Sequence, residues 1–276
     1  MARSGADLDG VPRSVGAARR RAASSGTDVL TPLTIATWNV QEGLSEGCEK
    51  RDHPRPSVAD LVKAQGIDVI ALQEVDFDRS GRSTVLDDIE ANTALRHIQR
   101  YPCSPSAFFP AARAGVAIAS RYRITGRWEF KLPNPRLRIT RGGSTYESYD
   151  KGVLACEIAT GGGRLTLVSL HMFPFHMFER PADHDDFDGI WRALRKHLGE
   201  LGGRPLVVAG DFNTADRGLL PDVNGRRLTG TTRGQVTHRG FAADDILFSP
   251  EVPDPPTARV LDTFSDHRLC LVELGE

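Results

Sequence analysis

A chain of 276 residues with 39% hydrophobic content can bury one sizeable core, and its 35 Lys and Arg against 36 Asp and Glu give a formal net charge of −1. That balance excludes the overall basic excess of a non-specific DNA binder, so a polyanionic substrate has to be handled locally. The four cysteines, Cys48, Cys103, Cys156 and Cys270, make no C-x-x-C pair and have no clustered His, so neither a zinc site nor a disulfide framework is indicated; they read as reduced, buried thiols in a cytoplasmic protein.

Residues 1–30 are rich in Ala, Ser, Gly and Arg, with Arg19-Arg20-Arg21 at their centre and no apolar stretch long enough for a signal core or a membrane span. They are expected to be a disordered tail, separate from a domain at 31–276, with the Arg triplet solvated or acting as a weak tether to nucleic acid. The first strand is expected at 33–38, where Leu33-Thr34-Ile35-Ala36-Thr37-Trp38 stops at Asn39. A helix at 57–65 and a strand at 68–72 follow, the latter stopping at Gln73-Glu74. A helix is read at 87–98, then strands near 106–109, 114–119, 125–131, 152–158 and 164–170, the last stopping at His171.

Past a helix at 184–201, Pro205-Leu206-Val207-Val208-Ala209 has the length and β-branched content of a buried strand, and it ends on Gly210-Asp211-Phe212-Asn213. The Gly lets the backbone turn sharply and delivers a carboxylate and an amide to the strand tip. C-terminal strands are expected near 244–248, 257–262 and 269–273; Asp244-Asp245 opens the first and Ser265-Asp266-His267 precedes the last. Long runs of strands with few helical crossovers argue for mixed and antiparallel pairing in two packed sheets, with helices outside. Loops at 41–56, 131–150 and 172–183 are long enough to shape a pocket. The second carries Arg136, Arg138, Arg141, Tyr146 and Tyr149, a mixture suited to phosphate and ring contacts or to a solvated face; the third is apolar enough to fold over as a lid or to wall a pocket.

Polar residues at six strand ends point to chemistry, because such groups are costly beside apolar strands unless something pairs with them. Hydrolysis of a phosphate ester needs positioning and charge neutralisation, and a hard divalent cation held by carboxylate and amide oxygens supplies both. Asn39, Glu74 and Asp266 fit that donor count for Mg²⁺, with Mn²⁺ as an alternative. His267 needs a carboxylate to fix its tautomer, and Asp244-Asp245 offers two, of which strand alternation turns only one inward.

Trp38-Asn39-Val40, Gln73-Glu74-Val75, Ser169-Leu170-His171, Gly210-Asp211-Phe212-Asn213, Asp244-Asp245-Ile246-Leu247-Phe248-Ser249 and Ser265-Asp266-His267, in this order, resemble the metal-dependent endonuclease/exonuclease/phosphatase superfamily from about Thr31 onward. The resemblance implies a four-layer α/β sandwich with the site at shared strand tips. It also implies Glu74 as principal metal ligand with Asn39 and Asp266 nearby, and Asp244 orienting His267. Asp211 and Asn213 would orient the attacking water and contact the phosphate, with His171 on the phosphate and leaving group. The water would be activated by Asp211 or by the His267–Asp244 pair. Asp245 departs from the family pattern, which has an aromatic or polar residue there, and so leaves the inward-facing acid open. Lys151 stands where it could reach the same phosphate or remain solvated.

The expected function is Mg²⁺-dependent hydrolysis of a phosphodiester, as a nuclease, with an inositol phosphate, lipid headgroup or other small phosphoester as the alternative substrate. An inactive binding module on the same fold is disfavoured because every polar position is filled. The expected partner is the phosphoester substrate, nucleic acid among its forms; no protein partner follows from the sequence.

Overall fold

A computed structural model describes residues 32–44, 56–202, 205–220, 222–252 and 254–275. The tail at 1–30 and most of the 41–56 loop, with Cys48, lie outside the described residues. The chain runs β1 (Leu33–Asn39), α1 (Val58–Ala64), β2 (Val69–Phe77), α2 (Thr84–Asn92), β3 (His97–Pro105), β4 (Arg113–Ser120), β5 (Arg123–Leu132), β6 (Arg138–Arg141) and β7 (Ser144–Glu147). It continues through β8 (Lys151–Thr160), β9 (Gly163–His171), α3 (Asp188–Glu200), β10 (Leu206–Asp211), β11 (Thr229–Gly230), β12 (Asp244–Phe248), β13 (Arg259–Leu261) and β14 (Leu269–Leu274).

Two six-stranded sheets form, ordered β13-β14-β1-β2-β4-β3 and β11-β12-β10-β9-β8-β5, with β6 and β7 a separate hairpin. Among the described residues, only β1 with β2 and β9 with β10 pair in parallel. Alternation along the strands builds the layers. On β1, Ile35 faces the other sheet and packs with Val69, Ile118, Leu167, Val207 and Ile246, while Ala36 and Trp38 face outward under Val58, Val62, Leu86 and Ile89 of α1 and α2. The second sheet buries its outer face under Ile190, Trp191, Leu194 and Leu198 of α3. The result is the expected four-layer sandwich, helix on sheet on sheet on helix.

The helix at 87–98, the strand near 106–109 and the open loop at 131–150 differ from the structure; no strand covers 106–109, because β3 ends at Pro105. The helix read at 87–98 is displaced: α2 starts at Thr84 because Ser83 caps it, accepting from Leu86 N at 3.1 Å, and the Asp76 carboxylate accepts from Ser83 Oγ and Thr84 N. It ends at Asn92, with Thr93 Oγ1 donating to Ile89 O, and residues 97–105 are a strand because they pair with β4. The 131–150 loop contains the β6–β7 hairpin, turned at Gly142 and Gly143 with φ of 56° and 80°. The apolar segment after His171 folds over the second sheet, where Phe173, Phe175 and Phe178 join Phe187 and Trp191 in the α3-side core. Cys103, Cys156 and Cys270 are buried free thiols. Among the described residues no helix is long and apolar enough to cross a membrane.

Strand direction positions the site. The parallel pairs end together, Asn39 opposite Gln73 in the first sheet and His171 opposite Asp211 in the second, and antiparallel β12 begins at the same level with Asp244 opposite Asp211. The two sheets are stitched there by polar contacts: Gln73 Nε2 donates to Ser169 Oγ at 3.2 Å, and Ser169 Oγ donates to Leu72 O at 2.9 Å.

Candidate active site

His171, Asp211 and Asp244 form one cross-strand row on three adjacent strands. Close backbone approach makes the row: a Cβ at Gly210 would lie 1.9 Å from Leu170 O, so only glycine lets β10 run beside β9 here. Across the seam, β2 slips register against β4 between Leu72 and Val75, and Glu74 within this bulge takes φ 50°. A bulge re-aims a side chain that regular alternation would send elsewhere, and a non-glycine residue held at positive φ is a strained one. Asn213, at φ 51°, curls back on the tip: its N–H donates to Asp211 Oδ1 at 2.8 Å and its Nδ2 to Met172 O at 3.1 Å.

Asp211 is the hub. Its Oδ2 accepts from Asn39 Nδ2 at 3.2 Å and lies 3.6 Å from His171 Nε2 and 3.7 Å from His267 Nε2. His267 donates through Nδ1 to Asp244 Oδ2 at 2.8 Å. His171 Nε2 is also 3.7 Å from Glu74 Oε1 and 3.1 Å from Lys151 Nζ. Glu74, Asn39, Asp211, His171, Lys151, His267 and Asp244 are thus contiguous. Asp266 stands to one side: its amide approaches Gln41 Oε1 at 3.4 Å, and its carboxylate lies 3.2 Å from Arg239 and 3.8 Å from His238 Nδ1.

The inward-facing acid is Asp244. Asp245 points to the opposite face, where its Oδ1 accepts from the backbone N–H of Thr231, Thr232 and Ile246 at 3.0, 3.0 and 2.8 Å and its Oδ2 meets Arg217 Nε at 3.1 Å. Two residues stand at the site without having been singled out from sequence. The His238 ring stacks on His267 with centroids 4.0 Å apart, and Arg217 packs over Phe212 at 4.5 Å. Neither carries a strand-end or spacing signal: Arg217 opens a short 3-10 turn over Arg217–Leu219, and His238 sits at isolated β-bridges to Phe241 and His267.

Burial alone would lower the His267 pKa, but Asp244 and Asp211 outweigh it and raise it to about 10, so the ring is an imidazolium. Burial would raise Asp211, yet His267 holds it at about 2. Burial, then Lys151, pushes His171 down to about 3, which leaves it neutral. Burial raises Glu74 and Asp244 and lowers Lys151.

Two His/carboxylate groupings are compact enough for an ion among the described residues, His238-Asp266-His267 and Asp211-Asp244-His267. Both use His267, whose Nδ1 is committed to Asp244. In the first, the two imidazoles are stacked at 23°, so their in-plane lone pairs run side by side instead of converging. The oxygen donors of Glu74 and Asn39 suit a hard divalent cation better.

The model of the Endonuclease/Exonuclease/phosphatase family matches residues 36–267. The chain belongs to this family. Its enzymes hydrolyse phosphoesters, and the matched span contains every residue of the row and its surroundings. An endonuclease/exonuclease/phosphatase family protein from Leptotrichia buccalis superposes with a TM-score of 0.64 at 18% identity, covering 88% of this chain and 100% of that one. The human Nocturnin catalytic domain with bound sulfate gives 0.62 at 16% identity over 88% and 92%. A mannosyl-6-phosphatase from Bacteroides thetaiotaomicron gives 0.60 at 16% over 88% and 100%. At these identities the structures establish the shared fold. No curated protein matches the sequence.

Proposed function

We propose that this member of the endonuclease/exonuclease/phosphatase family is a Mg²⁺-dependent hydrolase of phosphodiesters, with Mn²⁺ able to substitute and nucleic acid among its substrates. The carrying observation is the contact of Asp211 with Asn39, His171 and His267 in one buried cluster. Ionised Asp211 accepts from the attacking water and aims it, with Asn213 fixing the carboxylate through its amide N–H. His267, kept protonated by Asp244, places a positive charge beside the phosphoryl oxygens as theirs increases. Neutral His171 and Lys151, 3.1 Å apart, stand beside Asp211 and donate to the phosphate and leaving oxygen. Glu74 and Asn39 would hold the divalent ion, with Asp266 the third donor if it leaves Arg239. When bound, the ion neutralises phosphate charge and polarises the ester.

A second reading, a small phosphoester such as an inositol phosphate or lipid headgroup, is favoured by one observation. The arginines of the β6–β7 hairpin are tied within the protein, Arg138 to Glu147 at 2.9 Å and Arg141 to Glu179 at 2.8 Å. The reduced thiols are in keeping with a cytoplasmic setting.

The test is a substrate screen with Mg²⁺ over plasmid, linear DNA, RNA, inositol phosphates, sphingomyelin and bis(p-nitrophenyl) phosphate. Chelation should abolish turnover and Mg²⁺ or Mn²⁺ restore it, and Glu74→Gln should raise the metal concentration needed for half-activation at least tenfold. Full activity in excess EDTA, or an unaltered metal requirement in Glu74→Gln, would overturn the assignment.

A further inference from the structure

Asp244 is the first residue of β12, where a strand would fray, yet its carboxylate must hold a 2.8 Å contact with His267. Besides the Asp244 N–H donated to Thr237 Oγ1 at 2.8 Å and the Phe212 N–H donated to Ala243 O at 2.9 Å, one guanidinium secures this end. The Arg217 guanidinium donates to the carbonyls of Ala242, Ala243 and Asp244 at 3.1, 3.3 and 3.3 Å, and to Thr214 O. The same group lies 4.5 Å over the ring of Phe212, the residue between Asp211 and Asn213. A single guanidinium therefore grips both the β10 tip and the start of β12. A largely buried cation needs a counter-charge, and Asp245 supplies it from the back of the strand, its side chain 4% exposed. Asp245 is itself fixed by three backbone N–H donors, and Gly230 leaves room for it: a Cβ there would fall 2.7 Å from Asp245 Oδ2.

We propose that Arg217 and Asp245 are a positioning pair for phosphoester hydrolysis, which locks the Asp211–Asn213 tip against the Asp244–His267 pair. The kinetic arm of this proposal rests on the function proposed above. Arg217 touches none of the reacting groups; it acts through the carbonyls and ring that it holds. The pair also gives a physical reason for an acid at position 245, since only a carboxylate both accepts three N–H groups and neutralises the guanidinium.

Arg217→Met, Arg217→Lys, Asp245→Asn and the Arg217→Met/Asp245→Asn double variant are compared with wild type on bis(p-nitrophenyl) phosphate in Mg²⁺, alongside hydrogen exchange on the metal-free proteins. Expected are a fall in kcat of at least tenfold in each Met and Asn single variant with KM within twofold, and a double variant within twofold of the worse single, because the two residues act as one unit. Free guanidinium ion should restore part of the activity of Arg217→Gly, and amides 242–246 should exchange faster in Arg217→Met. A folded Arg217→Met with unchanged kcat, or with lowered thermal stability as its only defect, overturns the proposal. If Arg217→Met does not fold, Arg217→Lys, which keeps the charge but cannot fork across three carbonyls, carries the same comparison. If wild type hydrolyses no phosphoester, the proposed function falls, and the exchange of amides 242–246 decides the clamp alone: unchanged protection sinks it.

Discussion

Asp211 and His267 titrate against each other, and the signs fix how stability follows pH. His267 rises from 6.5 to about 10 on folding, so its contribution is complete below pH 6.5 and is lost as pH climbs through 10. Asp211 falls from 3.8 to about 2, so its contribution is complete above pH 3.8 and is lost as pH drops through 2. His171, lowered to about 3, adds stability as pH rises to 6.5, so with EDTA present the His267 contribution is read above pH 6.5, where the melting temperature of wild type should decline toward pH 10. In His267→Gln the alkaline decline should flatten; an unchanged slope would mean that the ring is not charged in the fold. At this scale the sequence offered residue types in order, and the types suffice to mark Asn39, Glu74, His171, Asp211 and His267 as candidates. The choice between Asp244 and Asp245 was not legible. It depends on Arg217, 27 positions earlier than Asp244, and on the N–H groups of Thr231 and Thr232, none of which carries a pattern tied to the acid pair.

Elements were legible where apolar runs were long and bounded. β1, β9, β10 and β12 lie within two residues of the readings because their side chains are buried on both faces, and such strands read as continuous hydrophobic runs. The misplaced helix shows the opposite case. Residues 93–98 contain Ala, Leu and Arg, all compatible with a helix, but the Thr93 side chain and pairing with β4 override propensity. Glu74 is the subtler case: a strand end was visible, a bulge with φ 50° was not, since nothing in Leu72-Gln73-Glu74-Val75 demands positive φ. Gly210 is the element-level determinant that the sequence did flag. Gly210→Ala would push a methyl to within 1.9 Å of Leu170 O and split the parallel β9–β10 pair. It should cost about 3 kcal/mol or more in urea unfolding, near the upper end for overpacking, with loss of turnover in the remaining folded protein. An alanine variant as stable and active as wild type would show that the two strands can part without harm.

Over the whole molecule, the three hydrophobic clusters are assembled from residue 33 onward among the described residues. Residues 1–30, rich in Ala, Ser, Gly and Arg, are too polar to add core, so deleting them is expected to leave the melting temperature and small-substrate turnover unchanged, while polynucleotide affinity and its salt dependence fall if the Arg triplet is a tether. A truncated protein that fails to fold would move the domain boundary upstream. The two-sheet architecture was legible from the ratio of strands to helices; which strand neighbours which was not, because β14 returns to pair with β1 across most of the sequence, Leu33 opposite Leu274.

That the candidate residues are divided between two sheets, Asn39 and Glu74 on one and His171, Asp211 and Asp244 on the other, also bears on how the protein comes to be active. A refolding chain with either sheet complete but the pair undocked has its secondary structure and no functional constellation. Recovery of turnover then times the meeting of the sheets, and a far-ultraviolet signal that returns earlier than activity dates the interval between forming the halves and closing them. The site is a built-in clock for the last step of assembly.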